Sequence, residues 1–180
     1  DEDLAARLRE AGFPAERHPL LPTAIRLADR NVNLIDFPPF RDGDFEVQDF
    51  SSQCIGEAAP VRPGSVWWDC CAGAGGKTLQ LAARGAGRVV ASDVRTHVLK
   101  EIVRRARRIP LRNIRIADVG RAARERFDGA LADVPCSASG RWRRNPEMRW
   151  ILSEEELAGL VRVQEETLER VVVGVARHGF

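Results

Sequence analysis

From Ser65 onward, short apolar runs alternate with longer stretches in which apolar residues recur at helical spacing. The short runs are "SVWWDC", "GRVVASDV", "NIRIADV" and "FDGALADV", and each predicts a buried strand. Between them, "GGKTLQLAARG" predicts a helix ending near Gly85 or Gly87, and "THVLKEIVRRARRI" predicts one closed by Pro110. "SEEELAGLVRVQEETLERVVVGVA" predicts a long helix opened by a capping box of Ser153 and Glu156. Leu157, Leu160, Val161, Leu168, Val171, Val172 and Val175 lie along one face of it. Apolar strands alternating with helices imply an α/β fold: a Rossmann-like, doubly wound, mainly parallel sheet with right-handed crossovers.

The first residues follow another pattern. "DEDLAARLREAG" places Leu4, Ala5 and Leu8 at helical spacing, with Gly12 as the stop. From Phe13 to Phe45 the chain mixes prolines with short apolar pieces, as in a small α+β element too short for its own core. A helix begins near Asp49 in "FEVQDFSSQCIGEAA" and leads into the alternating region. The division expected is therefore a partial α+β segment over 1–46 and the main domain over 47–180. The chain starts at Asp1 rather than Met and stops at "VARHGF", so a fragment truncated at its C-terminus is expected.

Composition narrows the class. At 180 residues, with 44% hydrophobic and 30% charged positions, the chain reads as a soluble globular protein and not a disordered one. No apolar run approaches the ~20 residues of a membrane span, and no signal-peptide pattern opens the chain, so a cytoplasmic protein without membrane contact is expected. Lys77 and Lys100 are the only lysines, so 26 of the 28 basic residues are arginine, as a GC-rich coding sequence would give. The arginines cluster in "RRARR", Arg104 to Arg108, and "RWRR", Arg141 to Arg144. The first lies on a helix away from the strand ends and reads as a solvated face. Cys54, Cys70, Cys71 and Cys136 form no C-x-x-C pair and have no zinc-like histidine pattern, so free thiols and no metal are expected. Cys54 reads as helix packing, and Cys70 and Cys71 as small residues beside a glycine loop.

That loop, "DCCAGAGGKT", follows a predicted strand and precedes a predicted helix, where ligand loops sit in open α/β sheets. Small residues let the backbone approach a ligand, and the helix start offers free N–H groups. A P-loop is excluded because Cys71 stands where its first glycine belongs, and Gly73, Gly75 and Gly76 have the wrong spacing for G-x-G-x-x-G. Asp69, Asp93, Asp118 and Asp133 end four successive strands. A carboxylate at Asp93 can accept from ribose hydroxyls, which points to an adenosine-containing cofactor.

"FEVQDFSSQ", "DCCAGAGGKT", "VVASDV" and "ADVPCSASGRWRRNPEMRW", in that order, resemble the RsmB/Nop/Sun family of RNA cytosine-5 methyltransferases, over about residues 40 to 175. The resemblance implies a class I methyltransferase fold and S-adenosylmethionine held by Cys71, Ala72, Gly73, Ala74, Gly75, Gly76 and Lys77. It implies Asp93 on the ribose, Asp118 near the adenine, Asp133 at the reaction centre, and Cys136 in the Pro-Cys motif. It also implies an RNA-binding-type segment over 1–46, with ribosomal RNA favoured over transfer RNA as substrate, and a monomer. Two departures are local: Gly73, Ala74, Gly75 and Gly76 stand for Ala-Pro-Gly-Gly, and Ala138 for the usual glycine. The third is larger. The family's attacking cysteine lies in a later Thr-Cys-Ser motif, and no Thr-Cys pair occurs in this chain. A non-catalytic relative that binds cofactor and RNA is thus the alternative to an active enzyme.

Carbon 5 of cytosine accepts a methyl only after a thiolate has added at carbon 6. Three readings of Cys136 stand open: product release as in the RNA family, nucleophilic attack as in DNA cytosine-5 methyltransferases, or a small buried thiol at a turn. Asp133 is the candidate for an acid at N3, which would require a buried setting to raise its pKa. Arg141, Arg143, Arg144 and Arg149 suit RNA phosphates and, except Arg149, could favour a thiolate. Arg144 and Arg149 could equally pair with Glu154–Glu156. Trp142 and Trp150 suit base stacking, or Trp150 begins the next helix and packs inward.

Overall fold

A parallel sheet organises the molecule, and its strand ends define where chemistry can occur. The computed structural model describes residues 2–28, 32–142, 145–150 and 152–175. In chain order the elements are α1 (Glu2–Glu10), β1 (Ala15–His18), β2 (Leu21–Leu27), α2 (Pro38–Arg41), α3 (Phe50–Ala58), β3 (Val66–Asp69), α4 (Gly76–Ala83), β4 (Arg88–Ala91), α5 (Leu99–Arg108), β5 (Ile114–Ile116), α6 (Val119–Ala122), β6 (Gly129–Leu131) and α7 (Glu154–Gly174). The sheet order is β5-β4-β3-β6, all parallel, with Trp68 opposite both Val90 and Ala130. The chain builds outward from β3 to β5 and then returns to the other side of β3. The crevice between β3 and β6 is therefore the topological switch point, where ligands bind in such sheets.

Adjacent strand residues face opposite layers, which explains two consecutive buried tryptophans. Trp67 and Val89 pack with Leu81 and Ala82 of α4, while Ala91 packs with Leu99 and Ile102 of α5. Trp68 and Val90 face the other layer, with Phe127, Ala122 of α6 and Val171 of α7. The Trp68 ring stacks on Phe127 at 5.4 Å, and its indole N–H donates to Ser92 Oγ at 2.9 Å. Both faces are covered by helices, so the two central strands carry apolar doublets, Trp67–Trp68 and Val89–Val90.

Asp49 caps α3 by accepting from Ser51 N, and Ser153 and Glu156 form the expected capping box on α7. The first two strands form an antiparallel pair. This segment is fastened to the main domain by residues expected to be solvated. Arg108 donates to Phe40 O and Phe45 O, pairs with Glu46, and lies 3.9 Å over the Phe40 ring. Arg105 bridges Glu46 (2.8 Å) and Ala74 O (2.7 Å). Only Arg104 and Arg107 of the run are exposed. The helix turns one edge of "RRARR" toward the 40–46 segment, and the paired carboxylate offsets the cost of covering those charges.

Two further expectations are corrected. Cys54 is exposed, not packed, because α3 meets α4 through Gln53 and Gly56 instead. On α7 the predicted apolar stripe is covered only in part: Val171 is buried and Val175 packs on the core, whereas Leu157, Val161 and Leu168 are exposed and Val172 is 73% exposed. The helix meets the sheet at the C-terminal part of that face and beside it, with Thr167, Val171 and Gly174 buried and Gly174 against the Trp68 ring. No helix among the described residues is long and apolar enough to cross a membrane.

Candidate active site

After β3 the backbone turns sharply at the carboxyl edge. Ala72 N donates to Ser92 O and Ser92 N to Asp69 O, so the loop stays zipped to the end of β4. Gly73 (φ 51°) and Gly75 (φ 86°) are left-handed, and Gly75 is the residue preceding α4. A Cβ at Gly75 would lie 2.6 Å from Ile102 Cγ1, so both its conformation and its packing require glycine. The loop is thereby pressed onto α5, and the α4 N-terminus opens at the ligand edge.

The four strand-end carboxylates have separate environments. Asp93 is buried, with Oδ2 accepting from Gly73 N (2.8 Å) and Oδ1 from Arg95 N (2.8 Å). The Arg95 guanidinium adds Nε to Oδ1 and Nη2 to Oδ2. Burial disfavours the charged form, but these donors outweigh it and hold the carboxyl below its ordinary range. Asp118 caps α6 through Gly120 N and Arg121 N. It borders a mostly apolar cleft of about 300 Å³ lined also by Leu99, Val103, Ile116 and Ala117.

Asp133 is 54% exposed, and its Oδ2 accepts from Lys77 Nζ at 2.7 Å. The buried setting expected for it is not what the chain provides: Asp133 stands in the loop after β6 with its carboxylate turned to Lys77 and solvent. The ion pair instead spans the switch point, joining the first turn of α4 to the loop after β6.

Asp69 is the carboxylate that is fully enclosed. Thr78 Oγ1 donates to its Oδ2 at 2.6 Å, while Oδ1 has no hydrogen-bond partner among the described residues. Burial, opposed by the Thr78 hydrogen bond and the Lys77 charge and reinforced by Asp133, pushes its pKa up from 3.8 to about 6. Between those values the folded protein holds a proton that the unfolded chain has released. Asp69's contribution to stability is therefore fully present below pH 3.8 and is lost as pH rises through 6. The contribution is about 3 kcal/mol. Asp69→Asn is expected to remove that decline, read as the pH dependence of denaturant midpoints for both proteins. Equal pH slopes would contradict it.

The Pro-Cys segment is held from α7, where Gln164 Nε2 donates to Pro135 O at 2.8 Å. Cys136 is exposed, which removes the buried-thiol reading. Ala138 is left-handed (φ 54°), so glycine is the natural occupant and alanine carries strain of about 1 kcal/mol. Cys70 is buried, its Sγ lying 3.4 Å from Leu131 O and 4.0 Å from Cys71 Sγ. That contact pushes the Cys70 thiol up and the Cys71 thiol down.

In the arginine–tryptophan loop, Trp150 is 86% exposed and ends the short turn Pro146–Arg149, so it does not pack inward. The next helix starts only at Glu154. The Arg149 guanidinium lies 5.8 Å from the Trp142 ring and 6.0 Å from the Trp150 ring, and forms no ion pair with Glu154–Glu156 among the described residues. Arg143, Arg144 and the side chain of Arg141 lie outside the described residues. Sequence reasoning missed Arg95, Arg105 and Gln164. Of these only Arg95 had a local signal, since an Asp with a residue two places on commonly closes an Asx turn.

Comparison with known proteins gives the family. Residues 59–180 match the sequence model of the family described as 16S rRNA methyltransferase RsmB/F. The chain is 35% identical over 173 residues to Ribosomal RNA small subunit methyltransferase B of Photorhabdus laumondii, covering 91% of this chain and 39% of that protein. For the protein of that name from Xanthomonas campestris the identity is 34% over 175 residues, with 93% and 40% covered. The chain thus spans about two-fifths of the length of these relatives. A methyltransferase homolog protein from Pyrococcus horikoshii superposes with a TM-score of 0.83 at 26% identity, over 99% of this chain and 58% of that one. NSun6 from Pyrococcus horikoshii, solved with SFG, shares the fold at a TM-score of 0.73 and 20% identity, over 87% and 42%. The family match takes in every strand of the parallel sheet and more than half of the chain, and the chain belongs to the RsmB/F family of methyltransferases.

Proposed function

We propose that this chain forms the cofactor-binding core of an S-adenosylmethionine-dependent methyltransferase that makes 5-methylcytosine in ribosomal RNA. The observation that carries the reading is the Lys77–Asp133 pair at the switch point, beside a glycine loop whose N–H is tied to Asp93. The residues present suit the cofactor. Asp93 offers a ribose acceptor, and the cleft by Ala117 and Asp118 offers an apolar slot for adenine. Gly73 and Gly75 leave the backbone bare, and the unpartnered Asp69 Oδ1 lies below the loop. Residues Cys71 to Lys77 would line the site, with S-adenosylmethionine supplying an electrophilic sulfonium methyl when bound.

The chain's own groups prepare the base. Asp133 stays a hydrogen-bond acceptor beside Lys77 and is placed to receive the exocyclic amine of cytosine. The Lys77 ammonium offsets the negative charge that develops on the ring when a thiolate adds at carbon 6. Cys136, exposed after Pro135, assists release and is not the attacking cysteine. Arg149, with Trp142 and Trp150, and the neighbouring Arg141, Arg143 and Arg144 bind RNA by phosphate contact and stacking. Residues 1–46 act as an RNA-facing segment, and the protein works as a cytoplasmic monomer without a metal.

Cofactor binding is tested by calorimetry. Asp93→Ala is expected to weaken S-adenosylmethionine binding by at least about tenfold, since a charge-assisted acceptor is lost. Unchanged affinity would remove Asp93 from the site. Mechanism is tested with 5-fluorocytosine RNA on the full-length protein that carries this chain. A covalent adduct is expected to survive Cys136→Ala; its disappearance would make Cys136 the attacker.

A further inference from the structure

Asp93 is only 4% exposed, yet its carboxylate is already saturated. Gly73 N and Arg95 Nη2 donate to Oδ2, and Arg95 N and Nε donate to Oδ1. A carboxylate has about four lone-pair sites, and all four are taken. Two donors are backbone groups fixed by the loops. The other two belong to one guanidinium, on a side chain that is 63% exposed. A ribose diol that uses Asp93 must therefore displace that guanidinium, since Gly73 N is fixed by the glycine loop and Arg95 N by the turn after β4.

We propose that Arg95 couples cofactor binding to RNA binding by serving two partners in turn. Without cofactor it neutralises Asp93. A ribose diol at Asp93 frees it at the carboxyl edge of the sheet, the edge RNA must approach for its base to meet Lys77 and Asp133. There the planar fork pairs with a backbone phosphate. A phosphate already holding Arg95 clears Asp93 for the ribose in the same way. The two ligands then favour each other through one side chain, and by linkage the coupling is equal in both directions. The inference rests on the cofactor reading above. It differs in sign from an ordinary contact residue, because Arg95 opposes cofactor binding when RNA is absent.

The exposed pair sets the size of the effect at about two- to fivefold. The experiment is calorimetric titration of S-adenosylhomocysteine into the full-length protein, with and without a single-stranded RNA oligonucleotide. It is run on the wild type, on Arg95→Met, and on Arg112→Met as a charge control on an exposed arginine before β5. The wild type is expected to bind S-adenosylhomocysteine about two- to fivefold tighter with RNA present. Arg95→Met is expected to bind it about that much tighter without RNA, and to gain nothing further when RNA is added. Weaker binding by Arg95→Met would make Arg95 a direct ligand contact and overturn the proposal. Retained RNA coupling in that variant, or the same gain in Arg112→Met, would overturn it as well. If the wild type binds no S-adenosylhomocysteine, the cofactor reading itself fails; if it binds but shows no RNA coupling, only the Arg95 proposal does.

Discussion

Trp68→Ala is expected to cost about 3–5 kcal/mol of folding stability, the range for deleting a buried tryptophan. Trp68 is fully buried at the centre of the sheet, between β4 and β6, and it stacks on Phe127. Its removal also leaves the enclosed Ser92 hydroxyl without its indole donor. Ser92 in turn holds the glycine loop through its carbonyl, so the cavity opens directly beneath the candidate site. Thermal unfolding followed by circular dichroism should show the midpoint falling by about 10 °C or more for a chain of this size. Trp68→Phe keeps an aromatic ring against Phe127 but loses the N–H and part of the ring volume, so a smaller drop of about 2 kcal/mol is expected. A Trp68→Ala loss below about 1 kcal/mol would show that the two layers are not joined through this residue.

Asp133→Asn is expected to slow methyl transfer about 10²- to 10³-fold, the cost of losing one preorganised electrostatic group. Cofactor affinity should change much less, because the ribose and loop contacts reside on Asp93 and Gly73. Asparagine keeps the shape but leaves Lys77 without its counter-charge. Single-turnover rates on an RNA substrate, set beside calorimetric S-adenosylhomocysteine binding, separate the two effects. A rate loss fully accounted for by weaker cofactor binding would move Asp133 from the reaction centre to the cofactor pocket. An unchanged rate would remove it from both.

The strands, helices and caps of the main domain were legible because each has a local cause. Trp67–Trp68 and Val89–Val90 are apolar doublets that only a sheet covered on both faces accommodates. Asp49 and Ser153 cap their helices through bonds to residues two and three places on. The strand-end carboxylates were visible for the same reason, as each follows an apolar run. What escaped depends on contacts distant in sequence. Arg105 and Arg108 reach Glu46 across about sixty residues, and nothing in "RRARR" distinguishes them from their solvated neighbours. Periodicity placed Leu157, Val161, Leu168 and Val172 on one stripe, but it does not say what lies over a stripe. Trp150 and Asp133 failed similarly: hydrophobicity and strand position favour burial, while the loops that carry them face outward.

The scarcity of lysine gives the Lys77–Asp133 pair a practical consequence. Among the side chains of this sequence an amine-selective reagent has only Lys77 and exposed Lys100 to attack. Lys77 is largely covered and ion-paired, whereas Lys100 is open to solvent. Reductive methylation with isotopic formaldehyde would therefore give this segment two distinguishable probes, with Lys100 as the internal reference. The signal from Lys77 would report directly on whatever enters the crevice between the two halves of the sheet.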